Sequence, residues 1–387
     1  MERFENWLKK YGINMSNISI EMGENNERKV VSINPINSGE DVMLIPKKLI
    51  ITSLKVEKTP VGRKILKLFQ KETELTKAII NISTYILFCS VDYTGYTKFW
   101  DPYLEILPKD LGHIPLFWSK QHLSYLKGSH ILANIRDRLR TIRNEYNILK
   151  KNIQDFDLFT FHMYKHVRCL VSSRNFRLNI GGNYCSSMVP LADMLNHSSN
   201  AMTRWFYNNK LASYQMVSKR GINSGVEITD SYGDKENHKY FMYYGFLLDE
   251  ADTRVFLKTR KFSGEFSDNF NSDSMKNLLN YLRRLFLEKE EKFRLGFLSV
   301  YNEKKTIREL INILKRKKRG YNHSVSYYKK NKKNGSLNKK NAYSLLEKEL
   351  QIVETLLIKA QTVLSHLLGE KVTIINDDVK RYLSTVH

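Results

Sequence analysis

Apolar residues recur along this chain at three spacings, and each predicts a different kind of element. Phe4, Trp7 and Leu8 fall on one face of a short amphipathic helix over 4–11. Residues 28–33 and 42–45 are short β-type runs with Pro35, Ser38 and Gly39 between them, so they read as two strands joined by a turn. Pro46 closes the second, having no amide to give a continuing ladder. From 61 to 172 the period becomes helical: Ile65, Leu66, Leu68 and Phe69, then Leu75, Ala78, Ile79, Ile82, Tyr85, Ile86 and Cys89, with the same spacing over 131–149 and 156–171. Within that region 99–108, which begins Phe99-Trp100-Asp101-Pro102-Tyr103, reads as an aromatic-rich loop against a core.

Alternation returns at 203–207 and 211–217, and the Asn208-Asn209-Lys210 between them has turn composition, which predicts a hairpin. Beyond 254 the pattern is helical again, with Leu278, Leu279, Leu282, Leu285 and Phe286, then Ile307, Leu310, Ile311 and Leu314. Leu346, Leu350, Val353, Leu357, Ala360, Leu364 and Leu367 alternate steps of four and three, the spacing of an a/d seam on one long helix. Strands at both ends of one region, interrupted by helices and followed by helices alone, give an α+β class.

At 387 residues with 42% hydrophobic and 12% aromatic residues, the chain can fill a large core in two or three domains. The start, Met1-Glu-Arg-Phe-Glu, lacks an apolar h-region and no apolar run approaches bilayer length, so a soluble protein without a secretory signal is expected. Cys89, Cys169 and Cys185 are far apart and form no C-x-x-C pair, which argues against a disulfide framework or a closed zinc site. Reduced thiols in the cytoplasm or nucleus are the expectation, with no metal.

A net charge of +23 raises the question of nucleic acid or an anionic surface. The Lys excess travels with many Asn residues along the chain, which reads as composition bias, so nucleic acid is not expected as the main partner. Residues 311–340 hold eleven Lys or Arg and no acid, including Lys315-Arg316-Lys317-Lys318-Arg319. That stretch is either a solvated loop or a patch for nuclear import or an acidic partner.

The candidate chemistry lies at the two ends of 189–248. The first end is Val189-Pro190-Leu191-Ala192-Asp193-Met194-Leu195-Asn196-His197-Ser198; the second is Ile228-Thr229-Asp230-Ser231-Tyr232-Gly233, followed by Asn237 and by Tyr243-Tyr244-Gly245-Phe246. Alone, Asn-His after an apolar run is a cap beside a satisfied histidine, and Tyr-Gly is a turn. In this order and at this separation they resemble the Asn-His and Tyr motifs of the SET-domain methyltransferases, in the class of Rubisco large-subunit methyltransferase, the ribosomal-protein lysine methyltransferases and actin-histidine methyltransferase.

The resemblance implies a β-rich SET domain with a pseudoknot joining both motifs, a helical insertion, and an all-α C-terminal domain of substrate-binding type. The boundaries are 1–60 and 173–254 for the SET parts, 61–172 for the insertion and 255–387 for the C-terminal domain. It implies S-adenosyl-L-methionine as cofactor, a protein substrate, no membrane and a monomer. Asn196 and His197 would hold the cofactor, with Arg174, Tyr232 and the segment Asn26-Glu27-Arg28, which stands where the family has a Gly-rich stretch. Arg174, Phe176, Asp193, Tyr207 and Tyr244 would line the substrate side, and Tyr232 would be catalytic. Chromatin-directed members carry a Cys cluster after the domain; its absence here favours a non-histone substrate.

In the histidine branch an Asn follows the Arg by two residues and a Trp precedes the Asp of the Asn-His motif. Here those positions are Phe176 and Ala192, so lysine is the expected acceptor. The alternatives are a protein-histidine methyltransferase and a SET-fold binding module without catalysis, the latter motivated by the unusual 26–28 segment.

Overall fold

Short strands open and close the first part of the chain. They are β1 (Ile18–Met22), β2 (Arg28–Ser32), β3 (Asp41–Pro46), β4 (Ile51–Thr52), β5 (Asn175–Ile180), β6 (Asn183–Met188), β7 (Asn196–His197), β8 (Thr203–Asn208), β9 (Ser213–Ser218) and β10 (Glu227–Asp230). Three sheets result, in the orders β1-β2-β10-β7, β3-β9-β8 and β4-β6-β5. The computed structural model describes residues 1–23, 28–91, 98–288, 292, 294–373 and 376–386. It divides into one unit of residues 1–111 and 139–234 and a second of 112–138 and 235–387.

In the first unit the runs at 28–33 and 42–45 are strands, but they do not pair with each other. β2 lies between β1 and β10, both antiparallel to it, and β3 pairs with β9 from Asp41↔Val217 to Pro46↔Ser213. The 203–217 hairpin forms with Asn208 opposite Ser213. Gly181 and Gly182, at φ +60° and +85°, make the turn from β5 to β6 in a region where side chains are strained.

The helix Glu2–Lys10 buries Phe4, Trp7 and Leu8, with Trp7 edge-on to Phe99 and Trp100 at 5.5 and 6.1 Å. Helices Pro60–Leu68, Glu74–Cys89 and Phe161–Ser173 each start on a threonine, Thr59, Thr73 and Thr160, whose side chain accepts an amide of the first turn. Arg168 and Glu145 form a buried two-bond ion pair at 2.9 and 3.2 Å, with the Tyr164 hydroxyl donating to the same carboxylate at 3.0 Å. The expected loop at 99–108 is instead largely the helix Asp101–Ile106, started by Pro102 in its first turn, with Trp100 and Tyr103 fully buried.

The second unit holds a hairpin, β11 (Val255–Lys258) and β12 (Ser263–Phe266), and helices Asn237–Tyr244, Asp273–Leu285, Val300–Arg319, Val325–Asn331, Leu337–Leu367 and Asp377–Leu383. The basic stretch is not a loop. Ser324 caps Val325–Asn331, Tyr328 is 1% exposed, and Ser336 caps Leu337–Leu367, so lysines and serines occupy helix surfaces and ends. The long helix buries Ala342, Leu346, Glu349, Val353, Leu356, Ala360 and Val363, while Leu357, Leu364 and Leu367 are only half-buried. The expected seam thus holds at Leu346, Leu350, Val353 and Ala360 and shifts to Leu356 and Val363 further along, and the buried Glu349 beside it has hydrogen-bond partners of its own. The second unit carries 35 Lys or Arg against 19 Asp or Glu, so the positive charge is concentrated there rather than spread evenly. Among the described residues no helix is long and apolar enough to cross a membrane, and no three His, Cys, Asp or Glu are grouped to hold a metal ion.

Candidate active site

The two polar ends of 189–234 meet on one pair of strands. β7 and β10 run parallel, with Thr229 opposite Asn196 and Asp230 opposite His197, and the Ser198 amide continues the pairing to the Asp230 carbonyl at 2.9 Å. After β10 the chain turns at Gly233, φ +88°, and Tyr232 lies against His197 with ring centroids 5.1 Å apart. The Tyr232 amide donates to His197 Nδ1 at 3.0 Å, which makes Nδ1 the acceptor nitrogen of the ring. The Tyr232 hydroxyl donates to the Leu195 carbonyl at 2.8 Å, so its proton is committed and its oxygen is oriented as an acceptor.

Asn196 crosses from β7 to the start of β2. Its amide nitrogen donates to the Arg28 carbonyl at 3.2 Å and to Glu227 Oε1 at 2.8 Å. Arg28 is half-buried; burial and then the neighbouring Arg174 push its pKa down, against the pull of Asp193 and Tyr103. The structure thus brings Arg28, Arg174, Asp193, Asn196, His197 and Tyr232 into one region. Asn26 and Glu27 lie outside the described residues.

Asp193 is aimed by strained backbone. Leu191 has φ +74° and ψ −50°, the uncommon γ-turn conformation, and the turn Ala192–Met194 follows it. The buried Asp193 carboxylate takes the Tyr103 hydroxyl at 2.8 Å and Arg174 Nη1 at 3.5 Å, and Nη1 also donates to the Asp193 carbonyl. Burial raises the Asp193 pKa, opposed by Arg174, the Tyr103 hydrogen bond and Arg28. Its Oδ1 makes no hydrogen bond among the described residues. In the sequence the segment of Tyr103 reads as a packing loop, and the aromatic-Pro-Tyr spacing is the one signal that sets Tyr103 apart.

Beside this lies a set of rings that the sequence did not assemble. Phe176 on β5 meets Trp205 and Tyr214 edge-on at 5.2 and 5.5 Å, and Trp205 stacks on Tyr214 at 5.9 Å. Phe176 and Trp205 are half-buried, while Tyr214 is fully buried with a hydroxyl that has no hydrogen-bond partner among the described residues. Burial, then the charges of Asp230 and Asp193, hold that phenol well above its usual pKa. Tyr207, opposite Tyr214 in the hairpin, is buried, and burial raises its pKa.

Tyr244 and Asn237 belong to the second unit. Asn237 caps its own following loop, exchanging hydrogen bonds with Leu248 at 2.8 and 2.9 Å and donating to Ala251 and Thr253 at 2.9 and 3.1 Å. Tyr244 ends that helix with Tyr240 and Phe246 as ring neighbours at 6.3 and 5.9 Å, and burial pushes its pKa up to about 12.

Residues 27–233 match the family model described as the SET domain. The N-lysine methyltransferase setd6 of Xenopus laevis is 24% identical over 266 residues, 63% of this chain and 56% of that protein. The actin-histidine N-methyltransferase of Drosophila melanogaster is 23% identical over 287 residues, 67% of this chain and 51% of that protein. The chain thus spans about half the length of these curated relatives. Among solved structures, Rubisco LSMT bound to sinefungin and monomethyllysine superposes with a TM-score of 0.78 at 18% identity, covering 96% of this chain and 94% of that one.

Proposed function

The chain belongs to the SET-domain family, whose model matches more than half of its length, and we propose that it is an S-adenosylmethionine-dependent protein-lysine N-methyltransferase acting on a non-histone protein. Its residues fit the cofactor on their own chemistry. Arg28 and Arg174 are two half-buried guanidiniums that share one carboxylate, Asp193, so a further anion such as the methionine carboxylate suits them. Asn196 offers an amide donor and acceptor beside them, and His197 its backbone on β7. When bound, the cofactor supplies an electrophilic methyl group on a sulfonium. Tyr232, with its proton held by the Leu195 carbonyl, would offer an acceptor oxygen to the partial positive charge on that methyl group.

The observation that carries lysine is the ring set at Phe176. Trp205 and Tyr214 fix Phe176 edge-on, which gives an aromatic wall suited to an aliphatic stem ending in an ammonium. Phe176 itself neither donates nor accepts a hydrogen bond, as orienting a neutral imidazole would require. The relatives include both a lysine and a histidine enzyme, so the acceptor is read from this chain's own residues.

The reading extends to a monomer in the cytoplasm or nucleus; the three free, buried cysteines suit a reducing compartment. Residues 61–172 are read as the helical insertion, although 112–138 fall in the second unit, and 255–387 as the part that docks substrate. The test is to incubate the protein with labelled S-adenosylmethionine and a cell lysate, then locate the methyl group by fragment-ion mass spectrometry. Methylated lysine is expected; methylation confined to histidine contradicts the acceptor, and no cofactor binding at all would leave the binding-module reading.

A further inference from the structure

Among the described residues of the first unit, one buried carboxylate lacks the cation that the others have. Glu145 is paired with Arg168 and Asp193 with Arg174. Asp230, 4% exposed, has no ion-pair partner among the described residues and is held by neutral donors: the Thr203 hydroxyl at 3.2 Å, the Trp205 indole N–H and the Ser231 amide. Lys219 acts on it only as a more distant charge. Burial raises its pKa, and those donors and then Lys219 lower it less than burial raises it. A buried carboxylate without a counter-ion is costly, and a cationic ligand removes that cost.

The position is suited to such a ligand. Asp230 lies two residues before Tyr232 and opposite His197 on β7. It holds Trp205, one of the half-buried rings around Phe176, and its charge acts on the unpartnered Tyr214 hydroxyl. The charged and titratable residues on the strands around it are Arg28 and Lys29 of β2, His197 of β7, Arg204 and Tyr207 of β8 and Tyr214 of β9, with Lys219 just after β9. Arg28 is engaged electrostatically with Asp193, Arg204 is exposed, and Lys29 pairs with Glu21 at 3.5 Å.

We infer that Asp230 is a catalytic residue that takes the proton a substrate lysine must lose, while the Tyr214 oxygen accepts a remaining N–H of the same nitrogen. This rests on the lysine reading above. The ammonium and carboxylate become amine and carboxylic acid, so the pair keeps the same total charge. The amine lone pair then forms the N–C bond to the methyl carbon as the C–S bonding pair stays on sulfur. The positive charge that left sulfur now rides on the methylated nitrogen, and Asp230 gives its proton to water as product leaves. Roughly one lysine in a thousand is neutral in water at physiological pH; in the buried site desolvation disfavours the ammonium and the carboxylate alike, which favours proton transfer to Asp230.

The experiment compares initial rates of methyl transfer from labelled S-adenosylmethionine to a total cell-protein extract, pH 6 to 10, for the full chain and Asp230→Asn. Near pH 7 the variant is expected to be about a hundredfold slower. Its rate should climb steeply with pH, so the deficit narrows toward pH 10, while the wild-type rate is nearly flat above neutrality. Cofactor affinity by calorimetry is expected to be unchanged. A deficit of the same size at every pH, or none, overturns the inference. A wild-type protein that binds no cofactor, or methylates only histidine, overturns instead the reading on which it rests.

Should Asp230→Asn not fold, Thr203→Val removes one donor to the carboxylate and is expected to move the acid limb of the wild-type profile upward; an unmoved limb overturns the inference. Infrared difference titration of the cofactor-free protein, wild type against Thr203→Val, reads the same carboxyl without turnover. Its carbonyl band should titrate above the ordinary carboxylate range and higher still in the variant, and a band at the ordinary position in both overturns the inference.

Discussion

Tyr103 and Asp193 share a hydrogen bond of 2.8 Å between two buried side chains that lie in separate parts of the sequence. The bond ties the helix Asp101–Ile106 to the turn that precedes Asn196, so the aromatic segment helps to fix that turn. Tyr103→Phe keeps the ring and removes the donor. Because it leaves a buried carboxylate with one partner fewer, it is expected to lower unfolding free energy by about 1–3 kcal/mol. Urea denaturation of the two proteins measures this, and equal midpoints would show that Arg174 alone satisfies Asp193.

Asn196→Ala is expected to weaken S-adenosylmethionine binding about tenfold, as for the loss of one well-placed hydrogen-bonding group. Calorimetric titration reads it directly. Unchanged affinity would place the cofactor away from the β7 and β10 pair.

The second unit carries a pH dependence of its own. His238 Nε2 lies 2.7 Å from Glu349 Oε1, and the same carboxylate takes the Ser129 hydroxyl at 2.6 Å and the Tyr321 hydroxyl at 2.8 Å. Burial lowers the His238 pKa, but the hydrogen bond to Glu349 and its charge outweigh that and raise it above the ordinary 6.5. For Glu349, burial raises the pKa and the His238 hydrogen bond and charge outweigh it, leaving it below 4.5. The histidine contribution to stability is complete below 6.5 and fades as pH rises through its folded pKa; the Glu349 contribution is complete above 4.5 and fades as pH falls through its own. Melting temperature is therefore expected to fall on the alkaline side of this window, and less so in His238→Gln. Equal alkaline slopes in both proteins would remove His238 from the balance.

Much of this was legible in the residues, for definite reasons. Alternation at 203–217 identified the hairpin because turn residues sit between two β-type runs, and Phe4, Trp7 and Leu8 identified a helix because one face is buried. The resemblance placed Asn196, His197 and Tyr232, but only the parallel pairing of β7 with β10 brings them together. Pairing partners distant in sequence leave no local mark, which is why β2 and β3 were read as neighbours. Buried polar residues were also hidden. Glu349 in the long helix, Tyr103 bonded to Asp193 and Asp230 bonded to Trp205 each look like surface or packing residues until their partners are seen.

If Tyr232 serves methyl transfer in a site that binds S-adenosylmethionine, Tyr232→Phe separates binding from turnover. The measurement pairs calorimetric cofactor binding with transfer of labelled methyl groups to protein. The variant is expected to bind the cofactor as the wild type does and to turn over roughly two to three orders of magnitude more slowly, as when one preorganised polar contact is lost. A variant that transfers methyl groups at the wild-type rate would contradict it.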